Sequence, residues 1–273
     1  MDGTLKLILL HAGLIAYAVS TGVGVLALRR EDRKLLRFAK AALLPGILAH
    51  GTLILLIGLH EQRFPVATLQ EAFLFLAVVL CIVVLSLDAL RSMPVLSIGV
   101  APVATIVGVL AATLGPSKPR PESQEFLIGV HVVITLIAFA AFALAFVSSV
   151  LFLAEQRRLK QHSKPSLIEL MPSLEGLYGM ILTWVSLGLF LLTAGILSGY
   201  LFMRGIDPGR GWRMDPKIIM TSLTWLAYAI VMILSLIPAC KGRRTAIGAT
   251  ICFFLVAATF WGSVFWSEFH KTV

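Results

Sequence analysis

The chain reads as long apolar runs broken by short polar segments. Eight runs are long enough to form helices, over about 5–28, 41–60, 65–87, 94–114, 125–154, 177–202, 217–239 and 246–267. A run of roughly 20 apolar residues carries an α-helix across the hydrocarbon core of a bilayer. The fifth run is longer than that and is expected to tilt or to project into water. No connecting segment exceeds roughly 25 residues, which leaves little chain for a soluble domain. The pattern predicts an all-α, polytopic membrane helix bundle of about eight transmembrane helices, a single membrane domain over 1–273, with both termini outside. The N-terminus has Asp2 and only Lys6 before its apolar run, and no small-residue cleavage site. It therefore reads as the first span and not as a cleaved signal.

Composition agrees with the pattern. Of 273 residues, 58% are hydrophobic and 14% charged, with a mean hydropathy of +0.93. Soluble domains are about 45–50% apolar and about 25% charged. An ordinary water-soluble enzyme and a disordered chain are both excluded. The three cysteines, Cys81, Cys240 and Cys252, form no CxxC pair and support no thiol–disulfide chemistry.

The net charge of +9 would point to nucleic acid in a soluble protein. Here the cations sit in short loops, where they orient helices among lipids, and no nucleic-acid partner is expected. Arg29, Arg30, Arg33, Lys34, Arg37 and Lys40, then Arg91, then Arg157, Arg158, Lys160 and Lys164, then Lys241, Arg243 and Arg244 fall on one side. That richer side is expected to be cytoplasmic. The outer segment 203–217 is itself basic, against the rule.

Histidine is rare in membrane spans and tends to mark function there. His162 lies in a basic loop and reads as solvated. His60 ends the second run, His131 opens the fifth and His270 follows the eighth, so three outer histidines on different helices are candidates to converge. His11 lies one or two turns into the first run, and His50 lies midway through the second. Neutral imidazole is the commonest protein metal ligand, and two imidazoles can cap a haem iron. The bland alternative is that outer histidines snorkel to headgroups, and that Thr52 or nearby backbone satisfies His50.

The segment 203–217 carries three glycines, two prolines and Trp212. Asp215 before Pro216 is a helix start, with the carboxylate as cap. Trp212 reads either as an interfacial anchor or as a surface for a flat ligand, with Arg210 or Arg213 pairing its carboxylates. Glu71, an acid near the outer end of the third span, marks a site or a buried pair. Asp88 is expected to reach cytoplasmic water or Arg91. Gly195 and Gly199 form a G-x-x-x-G pattern, and Ala138, Ala141, Ala145 and Ser149 a second small-residue seam, both signs of close helix packing.

Four segments together carry a resemblance. They are Phe64-Pro65 through Leu76; Val130-His131-Val132 with its Ala-rich helix; Leu192-Thr193-Ala194-Gly195-Ile196-Leu197-Ser198-Gly199; and Gly211-Trp212-Arg213-Met214-Asp215-Pro216-Lys217 followed by Leu223 through Tyr228. Over about residues 41–273 they resemble the haem-handling cytochrome c assembly family of membrane proteins (CcsA/CcmC type), and more closely its bacterial YpjD/HemX-like branch. The resemblance implies haem held outside the membrane, with a Trp-rich loop against the macrocycle and two external histidines on the iron. By position those are Trp212, His131 and His270. It also implies a multi-pass protein of the bacterial inner membrane that works with other cytochrome c maturation proteins. The chain departs from the pattern at Met214, where the family has its last tryptophan, and lacks the first. Val84 and Ile233 stand where some members carry intramembrane histidines, while His50 matches a span-two histidine of the YpjD/HemX-like branch.

Three functions are open to such a chain. The first is a non-catalytic component that binds or presents haem, with His131, His270, Trp212, Asp215, His50, Glu71, Arg210 and Arg213 as the cofactor-binding set and His131 and His270 as iron ligands. The second is a HemX-like accessory or regulatory protein partnered with a tetrapyrrole-synthesis enzyme. The third is a small-solute transporter using His50 and Glu71. Against the third, the sequence has no inverted repeat and no pair of Gly/Pro-broken spans.

Overall fold

The computed structural model describes residues 2–91, 93–114, 126–161, 172–206 and 216–265. Among them the chain is almost entirely helical, with no strand. Its helices are α1 (Gly3–Arg30), α2 (Arg33–Ala41), α3 (Leu43–Glu61), α4 (Leu69–Arg91), α5 (Pro94–Thr113), α6 (Phe126–Lys160), α7 (Leu174–Ile206), α8 (Pro216–Leu236) and α9 (Arg243–Phe265). Seven segments are long and apolar enough to cross a membrane: α1, α2 with α3, α4 to Leu90, α5, α6 from Leu127, α7 to Leu201, and α8. The eighth expected span, α9, has 23 residues, about 35 Å at 1.5 Å per residue. The protein is a multi-pass, all-α membrane bundle. α6 has 35 residues and runs on to Lys160, past the predicted end at 154.

One stretch read as a loop is a helix. α1 stops at Glu31, whose φ of 56° turns the chain left-handed and returns its N–H to the Ala27 carbonyl. The next residue, Asp32, starts α2 at once: its carboxylate accepts from the Lys34 and Leu35 N–H groups at 2.7 and 3.4 Å. α2 buries Leu36 and Ala39, with Leu36 packed on Ala27 and Ile98, and leaves Arg33, Lys34 and Arg37 outside. Ser20 donates to the Ala39 carbonyl at 2.8 Å. Asp88 does not reach water as expected; it is buried and pairs with Lys40 of α2. The buried carboxylate and the ammonium, at 39% side-chain exposure, tie α4 to α2.

The described helices pack as two compact units, α1–α5 in one and α6 to Arg157 with α7–α9 in the other. In the first, α1 packs on α2, α3 and α5, and α4 packs on α3 and α5. The buried stripe of α1 is Leu10, Gly13, Tyr17, Ser20, Gly24 and Ala27. That of α3 is Leu43, Gly46, His50, Leu53 and Ile57. Both follow the alternating three-and-four spacing of interlocked helices. Large apolar residues such as Ile8, Ile15, Leu48 and Leu55 point outward, as they must where the outer solvent is lipid.

In the second unit α6 buries Ala138, Ala141, Ala145 and Ser149 along its length. Phe142 stacks on Tyr228 of α8, ring centroids 3.9 Å apart and 9° from parallel. Thr224 of α8 meets Thr259 of α9, hydroxyl to hydroxyl, at 3.2 Å.

Candidate functional site

His131 sits one turn into α6 and is partly buried. Its Nδ1 lies 3.0 Å from the Ser198 hydroxyl of α7. Ser198 in turn donates to the Gly195 carbonyl at 2.9 Å. The ring lies flat enough against α7 that a Cβ at Gly199 would come within 2.8 Å of its Cε1. One turn away along both helices, Thr135 occupies the space beside Gly195 and donates to the His131 carbonyl at 2.8 Å. The G-x-x-x-G seam is therefore a packing seam, as expected, and its specific use is to let His131 and Thr135 approach α7. The Lys217 ammonium, at the start of α8, and the Gly195 carbonyl both lie near enough to act on the imidazole.

The segment Leu192–Gly199 joins two other motifs. Trp225 of α8 donates its indole N–H to Thr193 at 2.8 Å. Thus α7 meets the His131 motif through Gly195, Ser198 and Gly199, and the α8 motif through Thr193. Sequence reasoning placed Thr193, Gly195, Ser198 and Gly199 in a family motif and read the two glycines as a seam, but gave Ser198 and Thr193 no partner. The available signal was the placement of two hydroxyls beside that seam.

His50 is different. It is 0% exposed, its Nε2 lies 3.0 Å from the Leu10 carbonyl of α1, and its Nδ1 is buried without a hydrogen-bond partner. A Cβ at Gly13 would come within 2.1 Å of its Cδ2, so only glycine admits the ring. Tyr17 stands edge-on to it at 5.2 Å. The partner is backbone from a neighbouring helix and not Thr52.

Glu71 is one end of a buried ion pair. Its carboxylate takes both Arg63 guanidinium nitrogens at 2.7 Å, with side-chain exposures of 5% and 4%. It also accepts from the Ala67 and Thr68 N–H groups at 3.0 and 3.4 Å, while the Thr68 hydroxyl accepts from the Glu71 N–H at 3.3 Å. Thr68 and Glu71 thus form a reciprocal capping box at the start of α4. The bonded Glu71 carboxylate holds the Arg63 guanidinium above its ordinary pKa. Gln70 donates to the Ala111 and Leu114 carbonyls at 2.9 and 3.0 Å, tying α4 to the end of α5.

Among the outer histidines, His60 closes α3 in the first unit and His131 lies in the second. His11 is exposed and bonds the Leu7 carbonyl of its own helix at 2.8 Å. His270, Trp212, Asp215, Arg210 and Arg213, together with His162, lie outside the described residues. Among the described residues, no group of three or more His, Cys, Asp or Glu gathers as a metal cluster, and the three cysteines are free thiols.

A family model described as cytochrome C assembly protein matches residues 66–271. The cytochrome c biogenesis protein CcsA of Chlamydomonas reinhardtii is 28% identical over 216 residues, which is 75% of this chain and 59% of that protein. The chain thus spans less than two thirds of that relative's length. Protein HemX of Bacillus subtilis is 24% identical over 223 residues, 76% of each chain. Among solved structures, the cytochrome c heme lyase CcmF shares the fold, with a TM-score of 0.69 at 16% identity over 95% of this chain and 48% of that one.

Proposed function

The chain belongs to the cytochrome c assembly protein family, and on that premise we propose that it is a membrane component of cytochrome c biogenesis that binds or presents haem at the outer face. The observation that carries this reading is His131: an imidazole anchored through Nδ1 to the Ser198 hydroxyl near the end of a span. Haem, when bound, supplies an iron with two axial positions for nitrogen ligands and an anionic propionate edge. The donor set in the sequence suits that group: His131 and His270 would hold the iron, Trp212 would offer its face to the macrocycle, and Arg210 and Arg213 would pair with the propionates. The Asp215-Pro216 pair in the sequence suits a helix start. His50 and Glu71 act through packing. The chain holds haem in the bacterial cytoplasmic membrane for other maturation proteins. Thioether formation is assigned to an assembly with a partner that handles the CxxCH thiols, because this chain has no CxxC.

The test is an absorption spectrum of the detergent-purified protein, oxidised and then dithionite-reduced. A Soret band with sharp reduced α and β bands is expected, and its loss in the His131→Ala/His270→Ala double variant. A full Soret band in that variant overturns the ligand assignment.

A second reading is a HemX-like accessory protein of tetrapyrrole metabolism without stable haem. It is favoured by Met214 in place of a signature tryptophan. Colourless protein that takes up no haemin and co-purifies with a tetrapyrrole-synthesis enzyme selects it.

A further inference from the structure

His131, Ser198 and Gly195 form a chain of two hydrogen bonds that can be satisfied in only one way. The Gly195 carbonyl accepts and cannot donate. Ser198, 2.9 Å away, must therefore spend its single hydroxyl hydrogen on Gly195. Toward His131 Nδ1, at 3.0 Å, the same oxygen then has only lone pairs to offer. The proton of that bond comes from the ring. A neutral imidazole carries one N–H, so protonating Nδ1 leaves Nε2 with an open lone pair.

We infer that Ser198 is the positioning residue for His131: it fixes the Nδ1–H tautomer and so presents Nε2 as the ligating nitrogen. The consequence for iron rests on the haem reading above; the tautomer itself does not. Two further features aim the ring. Gly199 lets the imidazole lie against α7, since a Cβ there would meet Cε1 at 2.8 Å. Thr135 is occupied with the His131 carbonyl and so does not compete for the ring. Outer partners of this kind set tautomer and orientation in metal sites, and their loss typically lowers metal affinity about 10–100-fold.

The experiment uses haem-free, full-length protein with ¹⁵N-labelled histidine, in lipid or detergent at mildly alkaline pH. The His131 signals are assigned by their disappearance in His131→Gln. An unprotonated Nε2 and a protonated Nδ1 are expected. In Ser198→Ala the Nε2–H population rises about fivefold, the worth of one ordinary hydrogen bond. Ser198→Thr, which keeps the hydroxyl, retains the native pattern. Haemin titration follows the same order, with affinity about tenfold weaker in Ser198→Ala and kept in Ser198→Thr. A protonated Nε2 in the wild type, or an Ala variant with unchanged signals, overturns the inference while leaving His131 a candidate ligand. Native NMR signals with haemin affinity indifferent to His131→Ala overturn the haem reading, and with it the ligand-positioning role.

Discussion

His50 and His131 are both imidazoles set into apolar helix bundles, and each is pressed against a glycine of a neighbouring helix. The similarity ends at the ring nitrogens. His50 meets a backbone carbonyl through Nε2, so its proton is on Nε2, and the leftover Nδ1 is sealed in the core with no partner. His131 meets a hydroxyl through Nδ1, and its other nitrogen is left for use. One histidine is built into a helix crossing; the other is held by one edge. A histidine in a membrane span is thus not one kind of signal. The scaffold engages Nε2 of one ring and Nδ1 of the other.

The largest expected effect that tests this contrast lies in the first unit, at the Arg63–Glu71 pair. Arg63→Met strands the Glu71 carboxylate in a buried, capped position, and is expected to cost about 3–5 kcal/mol of stability. It should lower the thermal unfolding temperature in detergent while the haem bound per folded molecule stays at the wild-type level. A stable variant that loses pigment would instead make the pair part of a cofactor site.

Gly13→Ala comes next. Its new methyl group collides with a ring that has no room to retreat, a cost of about 1–3 kcal/mol. Gly199→Ala meets the partly exposed His131 ring and should destabilise less, yet weaken haemin uptake more. Equal stability losses with equal haemin affinity would erase the distinction between the two histidines.

Trp225→Phe removes the indole bond to Thr193 and should cost about 1 kcal/mol, read as a small drop in unfolding temperature. The smallest effect is His50→Leu. It discards one hydrogen bond but also an unpartnered buried nitrogen, two terms of about 1–3 kcal/mol or less that nearly cancel. Stability should hold within about 1 kcal/mol and the visible spectrum should not change. A bleached His50→Leu variant would move the cofactor into the first unit.

Much of this architecture was legible from the order of residues. The spans follow from run length, because an exposed amide in hydrocarbon is costly and a continuous helix satisfies its own backbone. The two small-residue seams also read correctly, since close helix approach requires the absence of bulk. The inner and outer faces did not read. In α1 and α3 both faces are apolar, so no hydrophobic stripe marks the core. Small and polar residues such as Gly13, Ser20, Gly46 and His50 mark it instead. α2 was missed because four of its nine residues are charged. It forms because Asp32 caps it and Leu36 and Ala39 find a surface, and only the latter depends on distant chain.

By itself, then, the sequence determined that this chain enters a membrane as a set of helices, and which segments carry the motifs of its family. Those are properties of local composition, read against a solvent of known thickness. The tertiary structure decided the fate of each polar side chain in that set. It gave Glu71 to Arg63, Asp88 to Lys40, His50 to a carbonyl and His131 to Ser198. In an apolar medium such groups seek partners, and except for Arg63 those partners lie on other helices, up to 67 residues away along the chain, where spacing carries no information about contact.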